Sequence, residues 1–187
     1  MAPNGRAQDD PARDGAVRDG AARNGAARNH AARNGAAHFL ARAIATFGFV
    51  GLIPFGPGTW ASAVTLALWI VLRMQPVAYW TALAAVCTVG TWAAHWAESI
   101  YGHDDNRVVI DEVAGSLIAV AFLPQSVPIA LAAFLLFRFF DIVKPPPIYQ
   151  IQSLPGGFGV MVDDVAAGIA ANVVVRVIML AAPALQR

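Results

Sequence analysis

A chain of 187 residues has room for one domain of ordinary size. Hydrophobic residues make up 57% of it and charged residues 13%, against roughly 45–50% and about 25% in soluble domains; charge this scarce cannot cover a water-facing surface, so part of the surface faces lipid or protein. The formal net charge of +1 comes with no basic patch in the body of the chain, which argues against nucleic acid as a partner, and the single cysteine, Cys87, excludes an internal disulfide and a multi-cysteine metal site.

Residues 1–37 form an imperfect five-residue repeat of Ala, Arg, Gly and Asn or Asp, with Met1 and Val17 as its only large apolar side chains. Nothing in it offsets the entropy of ordering, and the sequence predicts a disordered tail ahead of one helical domain over 38–187. The apolar region starts too late, behind a proline and several acids, to read as a secretory signal.

Residues 39–53 are an apolar segment broken by Arg42, Gly48 and Gly51. Pro54 to Thr59 is a cluster of helix breakers and reads as loop. Residues 60–72 are helical in character, and 77–97 make the best membrane-spanning candidate, apolar and without acids until Glu98. A polar loop over 101–107 leads to an apolar helix from 111 to about 123. A second runs from 129 to about 143, where Pro145-Pro146-Pro147 stops it. Pro155 to Gly159 reads as another turn, and a last helix runs from 163 to about 180. The expected fold class is all-α: a compact, membrane-embedded helical domain in which the segments 60–72 and 111–123 are too short to cross a bilayer that needs about 20 residues.

If these segments alternate in direction from Thr59 onward, every polar motif falls on one membrane face. The opposite turns, 73–76 and 124–128, then read as plain connectors. The polar motifs are Gly56-Pro57-Gly58-Thr59, Glu98 with His103-Asp104-Asp105, Asp111-Glu112 followed by Gly115, Arg138 to Asp141 followed by Lys144, and Gly156-Gly157-Phe158-Gly159 followed by Asp163-Asp164 and Gly168.

A single acid at a helix start is adequately explained as a cap or a partner of the helix dipole. Two adjacent pairs, each followed by a glycine, are not. Neighbouring carboxylates repel, more so beside an apolar medium, unless a cation compensates. Gly115 and Gly168 would let their helices approach and bring the acids together. Magnesium, which prefers oxygen ligands and is commonly shared between carboxylates and phosphate, is the natural compensator, with Asp141 as a further ligand. Arg138 and Lys144, three positions either side of Asp141, share its helix face and suit a phosphate or an ion-pair network. The glycine turns at Gly58 and at Gly156-Gly157 offer backbone N–H groups to an anion.

Taken together, these motifs resemble the phosphatidylglycerophosphatase A family. The resemblance covers nearly all of residues 45–172. It is carried by Pro57-Gly58-Thr59-Trp60-Ala61-Ser62, by His103-Asp104 with Val109 to Gly115, by Phe137 to Ile148, and by Gly156 to Gly168. It implies an all-helical, magnesium-dependent phosphomonoesterase at the cytoplasmic face of a bacterial inner membrane. The substrate it implies is phosphatidylglycerophosphate, converted to phosphatidylglycerol in phospholipid synthesis. It carries family function onto Asp111, Glu112, Asp141, Lys144, Asp163 and Asp164, with Arg138 and Thr59 matching as well. Ala61 stands where the family often has Gly, and the repeat tail is outside the pattern.

The expected chemistry is magnesium held by some of Asp111, Glu112, Asp141, Asp163 and Asp164, with Arg138 and Lys144 offsetting phosphate charge. Water attacks directly or after an aspartyl-phosphate forms, and the absence of an Asp-x-Asp nucleophile motif favours direct attack. His103 is a candidate proton donor to the leaving alcohol. Two alternatives stand beside this reading. One is a phosphatase or phosphotransferase acting on a different phospholipid. The other is a small transporter or assembly subunit, which would need ionisable groups at mid-membrane. The acids gather instead at segment ends, and the one charge deep in the last apolar run, Arg176, is expected to snorkel.

Overall fold

The computed structural model describes residues 35–102, 105–151, 154 and 156–181. The chain divides into two units, residues 1–38 and 39–187, and the second contains the helical bundle. The described residues are helical and contain no strand: α1 over 35–45, a 3₁₀ turn Val50–Leu52, α2 Pro57–Leu72, α3 Pro76–Tyr101, α4 Ile110–Val120, α5 Val127–Val143, a single turn α6 Ile148–Ile151, and α7 Gly156–Ala181.

Two of these helices, α3 and α7, are 26 residues long and apolar enough to cross a membrane. At 1.5 Å per residue each measures about 39 Å, more than the roughly 30 Å hydrocarbon core. Only 28% of each apolar window is buried, whereas a soluble core helix would be mostly covered. Their outward faces carry Trp80, Trp92, Trp96, Ile169, Val173 and Val177, all exposed. The molecule is thus an all-α, membrane-associated domain, as the composition requires.

At the centre lies α4, the shortest of the main helices. Nine of its eleven residues are buried, and it packs against α2, α3, α5 and α7. The crossing with α7 is the closest. A Cβ on Gly168 would collide with the carbonyl of Gly115, and one on Gly115 would collide with the Phe137 ring and the Asp164 carbonyl. The expected approach through Gly115 and Gly168 is therefore observed, with α5's fully buried Phe137 closing the third side.

A helix of eleven residues ends inside the bundle, where its last carbonyls lack water. Asn172 on α7 meets them, donating from Nδ2 to the carbonyls of Ile118, Ala119 and Ala121 at 3.3, 2.9 and 2.8 Å. Arg176 donates to Ala121 O at 3.1 Å and to Asn172 Oδ1 at 2.8 Å. Its cation thus sits at the negative end of the α4 dipole. Arg176, read from the sequence as a side chain that snorkels, also caps α4.

Two helix starts also differ from the sequence reading. The breaker cluster ends at Gly56, in the left-handed region at φ 59°, and Pro57 opens α2, the position where its missing N–H costs nothing. More consequentially, Gly156 to Gly159 is the first turn of α7 rather than a turn before it. Glycine disfavours helix by about 1 kcal/mol per residue, but here it permits contact. A Cβ on Gly157 would strike Thr91 O and His95 N of α3, and one on Gly159 would strike Leu154 O. Asp163 and Asp164 therefore lie not at a helix start but two turns in, about 10 Å along α7.

The connectors opposite the polar motifs are also tied to each other. Arg73 Nη1 donates to Gln125 O at 2.9 Å and Gln125 Nε2 donates to Arg73 O at 2.5 Å.

Candidate metal and active site

The helices α2, α4 and α7 begin at one end of the bundle and α5 finishes there, so the acids of three motifs converge. They line a cavity of about 220 Å³ with Asp105, Asp111, Glu112, Asp141, Asp163 and Asp164 against two cationic side chains, Arg138 and Lys144. Three of the acids are closest. Asp111, Glu112 and Asp164 each present a carboxylate oxygen, and these atoms lie within 4.8 Å of one another.

The other two acids are each held by a cation. Asp141 pairs with Arg138 at 2.7 Å, and the same guanidinium stands 3.9 Å from Glu112. Asp163 pairs with Lys144 at 2.6 Å. Lys144 closes α5 in the left-handed region at φ 44°, a strained conformation for a side chain with a Cβ. It directs the ammonium across to α7.

The triad has no such neutralising partner at contact distance. Glu112 Oε2 and Asp164 Oδ2 are buried and accept no hydrogen bond among the described residues, while Asp111 Oδ1 accepts the Glu112 backbone N–H at 3.1 Å. Burial raises the Glu112 carboxyl from 4.5 to about 8, the carboxylates of Asp164 and Asp141 push the same way, and Arg138 opposes them. Asp111 is also raised, by burial first and the Glu112 charge second. Carboxylates crowded together, with buried oxygens left unsatisfied, are what a hard divalent cation compensates. The donor set fits one.

Gly58 makes room for this arrangement. It is buried in the first turn of α2, and a Cβ there would collide with the Glu112 carboxylate and come within 3.3 Å of Arg138 Nη1. Gly58 also lines a second cavity, of about 500 Å³, formed by residues 51–54 and 56–58 with Asn106, Arg107, Glu112 and Arg138. Glu112 and Arg138 face both cavities.

Of the residues expected from sequence, Asp111, Glu112, Asp141, Asp163, Asp164, Arg138 and Lys144 meet in one cavity, with Gly58 beside it. Thr59 is exposed and lines neither cavity. Gly156 and Gly157 lie against α3, near His95 and Glu98, and line neither cavity. His103 lies outside the described residues. Asp105, named with the His103 motif but given no role, lines the acidic cavity, and Asn106 and Arg107, outside every expected motif, line the second. The one sequence signal for Arg107 was its position at the end of the polar loop 101–107.

Residues 43–179 match the family model described as PgpA: Phosphatidylglycerophosphatase A. A relative in Bacteroides thetaiotaomicron, described as a putative phosphatidylinositol-3-phosphatase, is 38% identical over 74% of this chain and 93% of its own length. The phosphatidylglycerophosphatase A of Haemophilus influenzae is 43% identical over 67% of this chain and 80% of its own. That of Escherichia coli is 32% identical over 64% and 72%. No solved structure matches. The chain belongs to the phosphatidylglycerophosphatase A family.

Proposed function

We propose that this protein is a magnesium-dependent phosphatidylglycerophosphatase, releasing the terminal phosphate of phosphatidylglycerophosphate to leave phosphatidylglycerol. The observation that carries the reading is the buried triad Asp111, Glu112 and Asp164, two of whose members keep an unsatisfied oxygen. The choice of magnesium rests on the all-oxygen donor set and on a phosphate substrate that brings further oxygens. The ligand set is narrower than the five acids together: Asp111, Glu112 and Asp164 hold the ion, while Asp141 and Asp163 position Arg138 and Lys144. A bound divalent cation supplies charge neutralisation at the phosphoryl oxygens and acidifies water.

The chain's own groups do the rest. Arg138 and Lys144, fixed by their carboxylate partners, present N–H groups to the equatorial oxygens of the phosphate, where charge concentrates during transfer. A carboxylate of the cluster takes a proton from the attacking water. Water forms the new P–O bond as the bond to the glycerol oxygen breaks, and that oxygen takes up a proton. His103 is the proposed donor. The protein sits in the bacterial inner membrane as a multi-pass domain with this cavity toward the cytoplasm, and residues 1–37 are a tail dispensable for turnover.

A second reading has a specific support, the relative described as a phosphatidylinositol-3-phosphatase. Both lipids carry a phosphomonoester on a polyol joined through a phosphodiester to diacylglycerol. Phosphate release by the purified protein in detergent, with magnesium or with chelator, separates the two. The expected result is magnesium-dependent release fastest from phosphatidylglycerophosphate. Faster release from phosphatidylinositol 3-phosphate would transfer the assignment to that lipid, and release from neither would end the enzyme reading.

A further inference from the structure

The acidic cavity accounts for a phosphomonoester but not for the remainder of such a lipid headgroup. The second cavity is open to it. The two share Glu112 and Arg138 as a common wall, and they differ in how many acids line them. The first sets six carboxylates against two cations, while the second sets one carboxylate, Glu112, against two guanidiniums, Arg138 and Arg107. An anion is therefore opposed less in the second than in the first, unless a cation is bound there.

Arg107 is also built in, although it is partly exposed. Its Nε and Nη2 form a fork with Asp105 at 2.7 and 2.8 Å, and Asp105 Oδ1 also accepts the Arg107 backbone N–H at 3.0 Å. The guanidinium lies over the Tyr101 ring, 4.1 Å from its centroid, and Arg42 approaches the same ring at 5.7 Å. The fork occupies two of five N–H groups, leaving three for a ligand. The loop that carries it is seated directly on the 3₁₀ turn, since a Cβ on Gly51 would collide with the Arg107 carbonyl.

Resting on the lipid-phosphatase reading above, we propose that Arg107 is a specificity-determining residue that binds the phosphodiester group of the lipid in this second cavity while the phosphomonoester occupies the acidic one. A planar guanidinium already oriented by stacking and by a carboxylate loses little freedom on binding an anion. Ile53, Pro54 and Pro57 give an apolar flank beside the charge.

The test uses the full-length protein in detergent with magnesium. It measures turnover of phosphatidylglycerophosphate and competitive inhibition by two probes. Phosphatidylglycerol carries only the phosphodiester, and inorganic phosphate mimics the phosphomonoester that the acidic cavity takes with magnesium. Arg107→Ala should raise KM and the phosphatidylglycerol inhibition constant about tenfold, the scale of one charge-assisted hydrogen bond lost. It should leave kcat and inhibition by phosphate unchanged, which also shows that the variant is folded. Asp105→Asn, which keeps the guanidinium, should retain inhibition by phosphatidylglycerol. Equal weakening of both inhibitors, no change for phosphatidylglycerol, or an Asp105→Asn variant that reproduces the Arg107→Ala loss would each overturn the inference alone. A wild-type protein that releases no phosphate from this lipid would overturn the functional reading and the inference together.

Discussion

The two ends of α4 are alike in burial and opposite in how their polar groups are treated. At the C-terminal end, three carbonyls receive Asn172 and one of them also Arg176. At the N-terminal end, Glu112 and, from α7, Asp164 keep buried oxygens without donors, in a cluster of like charge. One helix therefore shows both outcomes of burying polar atoms. Satisfied groups hold the fold, and unsatisfied ones store a demand that a cation and a phosphate can meet. Both ends are served by α7, which crosses α4 where Gly115 and Gly168 touch.

The largest expected effect comes from removing charge at the unsatisfied end. Asp164→Asn or Asp111→Asn should lower phosphate release by about a hundredfold or more, because the cation loses a ligand. Either should leave thermal stability unchanged or raised, because a repulsive buried charge is gone. A parallel loss of stability would mean that the acids act as structural groups like those at the other end.

The pH dependence sharpens the same contrast. Without metal, folded Glu112 keeps its proton up to about 8, while the unfolded chain releases it near 4.5. The folded state binds more protons across that window, so metal-free stability falls as pH rises through it. Binding a divalent cation displaces the proton. Apparent affinity should therefore climb toward pH 8 and then level, and added cation should restore melting temperature most at high pH. Proton release measured in two buffers during a magnesium titration checks the sign.

Gly58→Ala probes the site through space instead of charge. The added methyl claims the volume of the Glu112 carboxylate, so activity should drop about tenfold or more with all acids intact, as small displacements of positioned groups do. Restored turnover on raising magnesium would identify weakened ion binding as the cause.

At the satisfied end, Asn172→Ala should cost about 1–3 kcal/mol of stability by stranding buried carbonyls. Turnover per folded molecule should remain close to wild type. Thermal melts and active-site titration separate the two quantities.

Much of the site was legible before any fold, because its requirements are local. Paired acids followed by a small residue declare a close helix crossing, and Gly115 and Gly168 do oppose each other. The spacing of Arg138, Asp141 and Lys144 likewise put all three in the cavity. What stayed hidden depended on partners distant in sequence. Gly156 to Gly159 reads as a turn by propensity, and only the α3 backbone beside Gly157 and the Leu154 carbonyl beside Gly159 explain why glycine opens a helix there. Asn172 and Arg176 look like stray polar groups in an apolar run until the end of α4 is placed beside them. Arg73 and Gln125 sit in connectors that look unremarkable singly and meet only in the fold. Arg107 was passed over because a lone arginine in a loop says nothing until Tyr101 and the second cavity surround it.

The central claim is that Asp111, Glu112 and Asp164 form a divalent-cation centre. Manganese, a spectroscopic substitute for magnesium, tests it most directly by titration into the purified protein followed by electron paramagnetic resonance. One tightly bound ion per chain is expected in the wild type, lost in Asp164→Asn and retained in Asn172→Ala. Binding of the same strength in wild type and Asp164→Asn would contradict the account.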